Sequence, residues 1–323
     1  LVFGSITEML YIPCMIGLGR DLRCSCIKIM FWLSFVDMIA ILANCFAFGF
    51  LLLEGAVFCS NPMLALGAGI VGYGFWCTSS ACCLVLAINR LCAVLDLSKY
   101  FSVCSTISLL FKSFNLKLQN SRTNVYIGMC GVYGLFMTLF TRPLIINSAR
   151  QSMFFSPFIP GHSVEEYVNW PHAVQNICVT IILFILYSIM CSVLFVRSVR
   201  DATCWKSNDH MLQRPMASNS SHKRIIKNIP IFIQSMLISC VNLLAACIYV
   251  FMNFFPVPPF IIVLGHVCWQ FDHGSPPFIY LALNKSIRRL ALESIGLGRL
   301  YRNNRDGQFT TTQVMPMDRY PRS

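Results

Sequence analysis

The chain has 323 residues, of which 56% are apolar and only 12% charged, against roughly 25% charged in a soluble domain. That balance excludes an ordinary water-soluble globule. The net charge of +12 does not indicate nucleic acid, because the basic residues belong to no separable polar domain. They flank apolar runs instead, where they set topology and meet anionic lipid or an acidic partner.

In chain order the apolar runs fall at 1–19, 29–53, 63–89, 124–141, 173–196, 229–251 and 260–283. Each meets or approaches the ~20 residues that a helix needs to cross a hydrocarbon core. Open strands are excluded, since lipid leaves their backbone groups unsatisfied. The expected fold is an all-α membrane protein, a bundle of seven transmembrane helices. The segments 20–28, 90–123, 197–228 and 284–323 hold 23 of the 25 Lys and Arg. The alternate segments hold only Arg142 and Arg150. This excess orients the basic segments to the cytoplasm and the amino end to the outside.

Run one begins at Leu1 without a methionine and contains Glu8 and Pro13. It reads as a first helix that has lost its beginning, with 1–300 as one domain. The stretch from Ser98 to Arg122 is polar and basic and too short for another span. The segment 197–228 is polar and basic around Pro215, a composition that predicts a disordered loop. After run seven, Ile287, Leu290, Ala291 and Ile295 recur at helical spacing beside Lys285, Arg288 and Arg289. That is a short amphipathic interfacial helix. The tail at 301–323 reads as a disordered cytoplasmic segment.

Most of the 17 cysteines sit inside apolar runs, where Cys acts as a small hydrophobe. No paired CxxC or Cys/His spacing marks a metal site. HExxH, GxSxG and GxxxxGK[ST] are also missing, so neither an enzyme nor a cofactor is expected. Ionisable residues within spans carry function by default, because their burial is costly. Asp37, beside Ser34, reads either as a polar core site for water or a cation, or as a structural hydrogen-bonding node. Arg90 closes run three after Asn89, as an exchangeable cation or as a snorkelling side chain.

The stretch Trp269 to Tyr280 is the most unusual in the chain. Gly274, Pro276 and Pro277 loosen the helix there. Gln270, Asp272 and His273 beside that break form a polar site that responds to ligand or pH, or a polar cluster that supports the kink. Tyr73, Phe75 and Trp76 either line a cavity or follow from packing around Gly67, Gly69, Gly72 and Gly74, small residues that admit close helix contact. The aromatics of 147–172 (Phe154, Phe155, Phe158, Tyr167, Trp170) read as interfacial anchors.

Asp37 in span two, Asn89-Arg90 ending span three and Pro277-x-x-Tyr280 ending span seven resemble the rhodopsin-like G-protein-coupled receptors. The chain is most similar to the nematode serpentine chemoreceptors of class T. The residues behind this are Tyr11-Ile12-Pro13-Cys14, Gly55 to Pro62, Asn89-Arg90-Leu91, Tyr167-Val168-Asn169-Trp170-Pro171-His172, Ile231 to Ser235 and Trp269 to Leu281. Residues 98–121, 201–222 and the last twenty or so lie outside the resemblance.

The resemblance implies a receptor in the plasma membrane of sensory cilia that binds a small environmental molecule and activates a heterotrimeric G protein. It makes Asp37, Asn89, Arg90, Pro277 and Tyr280 the activation switch. Tyr73, Trp76, Trp269, Gln270, Asp272 and His273 are the residues expected to meet ligand. Several positions depart from the pattern: Asn89 replaces an acid, Pro276 stands where Asn is usual, and the second outer loop has no cysteine. The competing class is a seven-span transporter or ligand-gated channel. Retinal binding is excluded, since the nearest lysine to mid-span seven is Lys285, at its inner end.

Overall fold

The structure, a computed structural model, describes residues 1–20, 22–96, 122–208, 216–255, 257–294 and 296. Among the described residues six helices are long and apolar enough to cross a membrane. The first is Val2–Gly19 and the second runs from Ser25 to Leu53, as Ser25–Ile41, a π-helical turn Leu42–Ala47 and Phe48–Leu53. The third to sixth are Pro62–Asp96, Thr123–Phe140, Trp170–Asn208 and Met216–Phe254. The seventh span is divided at Ser275 into Pro259–Gly274 and Pro276–Leu283. Neither half reaches the length of a membrane span alone. The two consecutive prolines begin the second half, where their missing N–H groups cost least.

Two expectations are revised. The described parts of the segment 197–228 are helical and not loop, because the fifth helix continues to Asn208 and the sixth begins at Met216, while 209–215 lie outside the described residues. A polar, basic composition suits a helix beyond the membrane as well as a loop, so composition alone did not distinguish them. The segment 142–172, read only for its aromatics, contains a small antiparallel hairpin. Its strands are β1, Ile145–Asn147, and β2, Ser152–Phe154, with Ile146 opposite Met153. The stretch 98–121, Ile295 and the tail at 301–323 lie outside the described residues.

The third span is the centre of the bundle, packing against the second, fourth, fifth and sixth. The third and fourth approach closely. A Cβ on Gly134 would meet the Gly74 carbonyl at 2.7 Å, and one on Gly74 would collide with the Thr138 hydroxyl. On its opposite face the fourth span exposes Val125, Met129, Val132, Leu135, Phe136 and Leu139. Exposed apolar side chains at helical spacing suit lipid contact, so that face needs no further partner.

The basic end of the seventh span turns into the helix Lys285–Ser294. Asn284 Oδ1 caps it by accepting from the Ile287 amide at 3.1 Å, and Arg288 Nη1 donates to the carbonyls of Leu281 and Ala282, each at 2.8 Å. Ile287 and Ala291 are buried. Gly17 admits this helix against the first span, since an added Cβ there would lie 3.4 Å from the Ile287 carbonyl oxygen.

Candidate functional site: a buried node beneath an aromatic chamber

Asp37 is 1% exposed and its carboxylate is saturated by three spans. Oδ1 faces His273 Nδ1 at 2.7 Å and accepts from Ser79 Oγ at 3.0 Å. Oδ2 lies 3.3 Å from the Tyr11 hydroxyl. Tyr11 has one proton, and its 2.6 Å bond to the His273 carbonyl takes most of it. A carboxylate 2.7 Å from an imidazole nitrogen requires a proton between them, which places hydrogen on His273 Nδ1. Spans one, two, three and seven thus meet at one point, just before the Ser275 break. Asp37 and His273, assigned separate roles from sequence, form a single ion pair.

Toward the hairpin end lies a set of rings set nearly at right angles. Trp76 and Trp269 are 6.3 Å apart at 90°, and Tyr249 is 6.4 Å from Trp269 at 89° and 6.2 Å from Trp76. His273 approaches Trp76 at 6.0 Å from below. Above, His172 lies 6.2 Å from Tyr249, 5.6 Å from Tyr73 and 5.0 Å from Phe155. Phe155 immediately follows β2 and reaches Tyr73 at 5.8 Å. The hairpin therefore inserts a ring into the mouth of the bundle, beyond a surface anchor's position.

Polar side chains fix this chamber. Trp76 Nε1 donates to Asn176 Oδ1 at 3.3 Å, and Asn176 Nδ2 faces His172 Nε2 at 3.1 Å. Asn169 caps the fifth helix by accepting from the His172 amide at 3.0 Å, while its Nδ2 donates to the Arg142 carbonyl at 2.8 Å. Tyr73 receives the Thr141 hydroxyl at 3.0 Å. Several buried polar atoms have no partner: Asn242 Oδ1, His172 Nδ1, Gln175 Nε2, Trp269 Nε1 and His273 Nε2. Buried polar atoms normally find a partner, so these five leave hydrogen-bonding capacity unused around the ring set.

Gln270 does something other than line the chamber. The π-helical turn frees the Asn44 carbonyl, which accepts from Gln270 Nε2 at 2.9 Å and lies 3.3 Å from His266 Nε2. Asp272 Oδ2 accepts from Asn242 Nδ2 at 3.1 Å. Of the four glycines on the third span, Gly69 and Gly72 meet Leu144 and Trp269, Gly74 meets Thr138, and Gly67 has open space. The packing reading holds for Gly69, Gly72 and Gly74, while Tyr73 and Trp76 are buried within the ring set.

At the basic end, half-buried Arg90 donates through Nη2 to Asn89 Oδ1 at 2.8 Å. Among the described residues it forms no ion pair, so a neutral amide occupies the place of an acid. Tyr280 is fully buried beside Leu18, Met30 and Leu33, and the Pro277 carbonyl accepts from Cys14 Sγ at 3.8 Å. Sequence reasoning assigned no role to Tyr11, Ser79, His172, Asn176, Asn242 or Tyr249. The signal for His172 and Asn176 was their i, i+4 spacing, which puts them on one helix face.

Beside Phe155 an open cleft of 680 Å³ is lined by Arg142, Ile145, His162, Glu166 and Tyr167. Arg142 donates to the backbone carbonyls of Glu166 and Val168. The His162 ring and the Ser163 amide hold the exposed Glu166 carboxyl below the usual range.

A helical membrane bundle with a broken seventh span, a buried acid tied to that break and a ring-lined chamber above it defines a receptor-type serpentine fold. The chain belongs to the serpentine-type 7TM GPCR chemoreceptor family Srt, whose family model matches residues 1–304. It is similar to "Serpentine receptor class T-55" of Caenorhabditis elegans, with 23% identity over 261 residues, 81% of this chain. The chain spans 62% of that relative's length.

Proposed function

We propose that this chain is a chemosensory receptor that binds a small environmental molecule in the ring-lined chamber and activates a heterotrimeric G protein at its basic face. The observation that carries the reading is the placement of the Asp37–His273 pair. It sits at the break of the seventh span, directly beneath Trp76 and Trp269. A guest that shifts those rings changes the environment of the one polar node joining four spans. Rings, node and break are contiguous, so ligand contacts bias one bundle state over another. The amino end faces outside and the basic segments face the cytoplasm of a sensory-cell plasma membrane, in line with the Lys/Arg asymmetry.

Arg90, Asn89, Pro277 and Tyr280 form the inner part of the switch. Among the described residues Arg90 is restrained by a neutral amide alone, so exchange to a partner's acceptor or backbone carbonyl costs one charge-assisted hydrogen bond, about 1.5–3 kcal/mol. The test is expression of the chain, and of a longer form of it, in reporter cells given a panel of volatiles and small metabolites. Arg90→Ala is expected to abolish ligand-evoked G-protein signalling while surface expression persists. Unchanged signalling in that variant, or ligand-evoked current insensitive to G-protein inhibition, overturns the proposal.

A further inference from the structure

Asp272 is 4% exposed, and its hydrogen bond comes from an uncharged amide, Asn242 Nδ2. Among the described residues it forms no ion pair. The neighbouring imidazole of His273 is committed through Nδ1 to Asp37. Two buried carboxylates therefore share one basic side chain, and an ionised carboxylate left unpaired in such a core is strongly penalised. Among the described residues the surroundings add one unfilled acceptor and no further cation. Asn242 Oδ1, on the amide that already touches Asp272, has no partner, and neither has His273 Nε2 in the same turn of the seventh span. In the ion pair with Asp37 the imidazole carries a proton on each nitrogen, so Nε2 is a donor and not an acceptor.

The apolar part of the site is equally specific. One turn from Asp272 stands Trp269, and two turns from Asn242 on the sixth span stands Tyr249. With Trp76 these rings form a set whose centroids lie 6.2 to 6.4 Å apart, two of the three pairs edge-to-face. Indole and phenol faces attract cations. A carboxylate, one unfilled acceptor and three electron-rich rings therefore converge on one guest chemistry.

We propose that the chamber takes a small organic amine in its protonated form. The ammonium donates to Asp272 and Asn242 Oδ1, and the carbon portion lies against Trp76, Trp269 and Tyr249. This rests on the receptor reading above and deepens it by naming the ligand class.

The experiment uses the full chain in nanodiscs and reads tryptophan fluorescence. Methylamine, n-butylamine and 2-phenylethylamine are each titrated beside the corresponding alcohol, with sodium chloride as the inorganic-cation arm. A saturable response to at least one amine and to no alcohol is expected. Asp272→Asn weakens it at least ~30-fold, the effect of removing one partner of a buried charge pair, whereas Asp272→Glu retains it. No saturable response to any amine, equal response to amine and alcohol, or response to sodium alone overturns the proposal. The amine–alcohol comparison needs only the unaltered chain, so a variant that fails to fold leaves the test standing. G-protein activation evoked by neutral compounds and never by amines removes the amine site and keeps the receptor. Amine binding without nucleotide exchange on any added G protein does the reverse.

Discussion

Replacing Asp37 by alanine tests the node most directly. The substitution removes the acceptor for His273 Nδ1 and Ser79 Oγ at once, and the weaker contact with Tyr11 as well. Breaking a buried ion pair by deleting one partner costs about 3–5 kcal/mol, because the other partner stays buried and uncompensated. Total stability of a folded domain is about 5–15 kcal/mol, so a large share is lost. At roughly 2–4 °C per kcal/mol for chains somewhat smaller than this one, the melting temperature in nanodiscs falls by at least about 6 °C. Asp37→Asn is milder: the amide keeps one acceptor oxygen but turns a donor toward the remaining partner. Tyr11→Phe is milder again, about 0.5–1.5 kcal/mol for one hydrogen bond. The expected order of melting temperatures is therefore unaltered, Tyr11→Phe, Asp37→Asn, Asp37→Ala, from highest to lowest. A melting temperature for Asp37→Ala within about 1 °C of the unaltered chain refutes the reasoning, since that is the range of surface substitutions.

Gly134→Ala drives a methyl group into Gly74 and Thr78 across the third and fourth spans. It should destabilise by about 1–3 kcal/mol, as overpacking does, whereas Gly67→Ala, in open space, should be neutral or stabilising by about 0.5–1 kcal/mol from helix propensity. Thermal melts of the two variants side by side check this. Phe155→Ala removes the ring that the hairpin places on Tyr73 and His172, and should speed ligand dissociation, read as a shorter-lived reporter response after washout. At the hairpin end, Glu166 is depressed by His162, so the His162–Glu166 contact supports the loop above the ordinary carboxylate range and is lost as pH falls through the lowered value. His162→Ala should move the Glu166 titration upward, measured by NMR of side-chain-labelled glutamate; no movement would discount the contact.

Long-range architecture was legible because lipid imposes length and charge rules on every span. The break in the seventh span was legible too, since Gly274-Ser275-Pro276-Pro277 cannot continue a helix undisturbed. The pairing of Asp37 with His273 was not, because 236 residues separate them and neither residue's neighbours encode the other. The hairpin escaped notice because its turn uses Gln151 in a left-handed conformation, φ 52°, instead of a glycine or asparagine signature. Phe158 shares that unusual backbone at φ 56°, and Arg150 covers its ring at 4.2 Å. In the fifth and sixth helices, polar extensions beyond the membrane carry no apolar stripe, so periodicity gave nothing to read.

The π-helical turn at Leu42–Ala47 has a consequence for how this chain compares with others. Each residue advances an α-helix by about 100°, so a widened turn rephases everything after it. The stretch before the turn aims Asp37 at the bundle axis, and the stretch after it is dealt to the core on a different count. One rod therefore serves two interior surfaces that an unbroken helix could not address together. A relative without the turn would align with this chain only through a one-residue gap inside a transmembrane helix. Deleting a single residue from the turn should rotate Phe48 and Leu51 out of the core while leaving Asp37 in place.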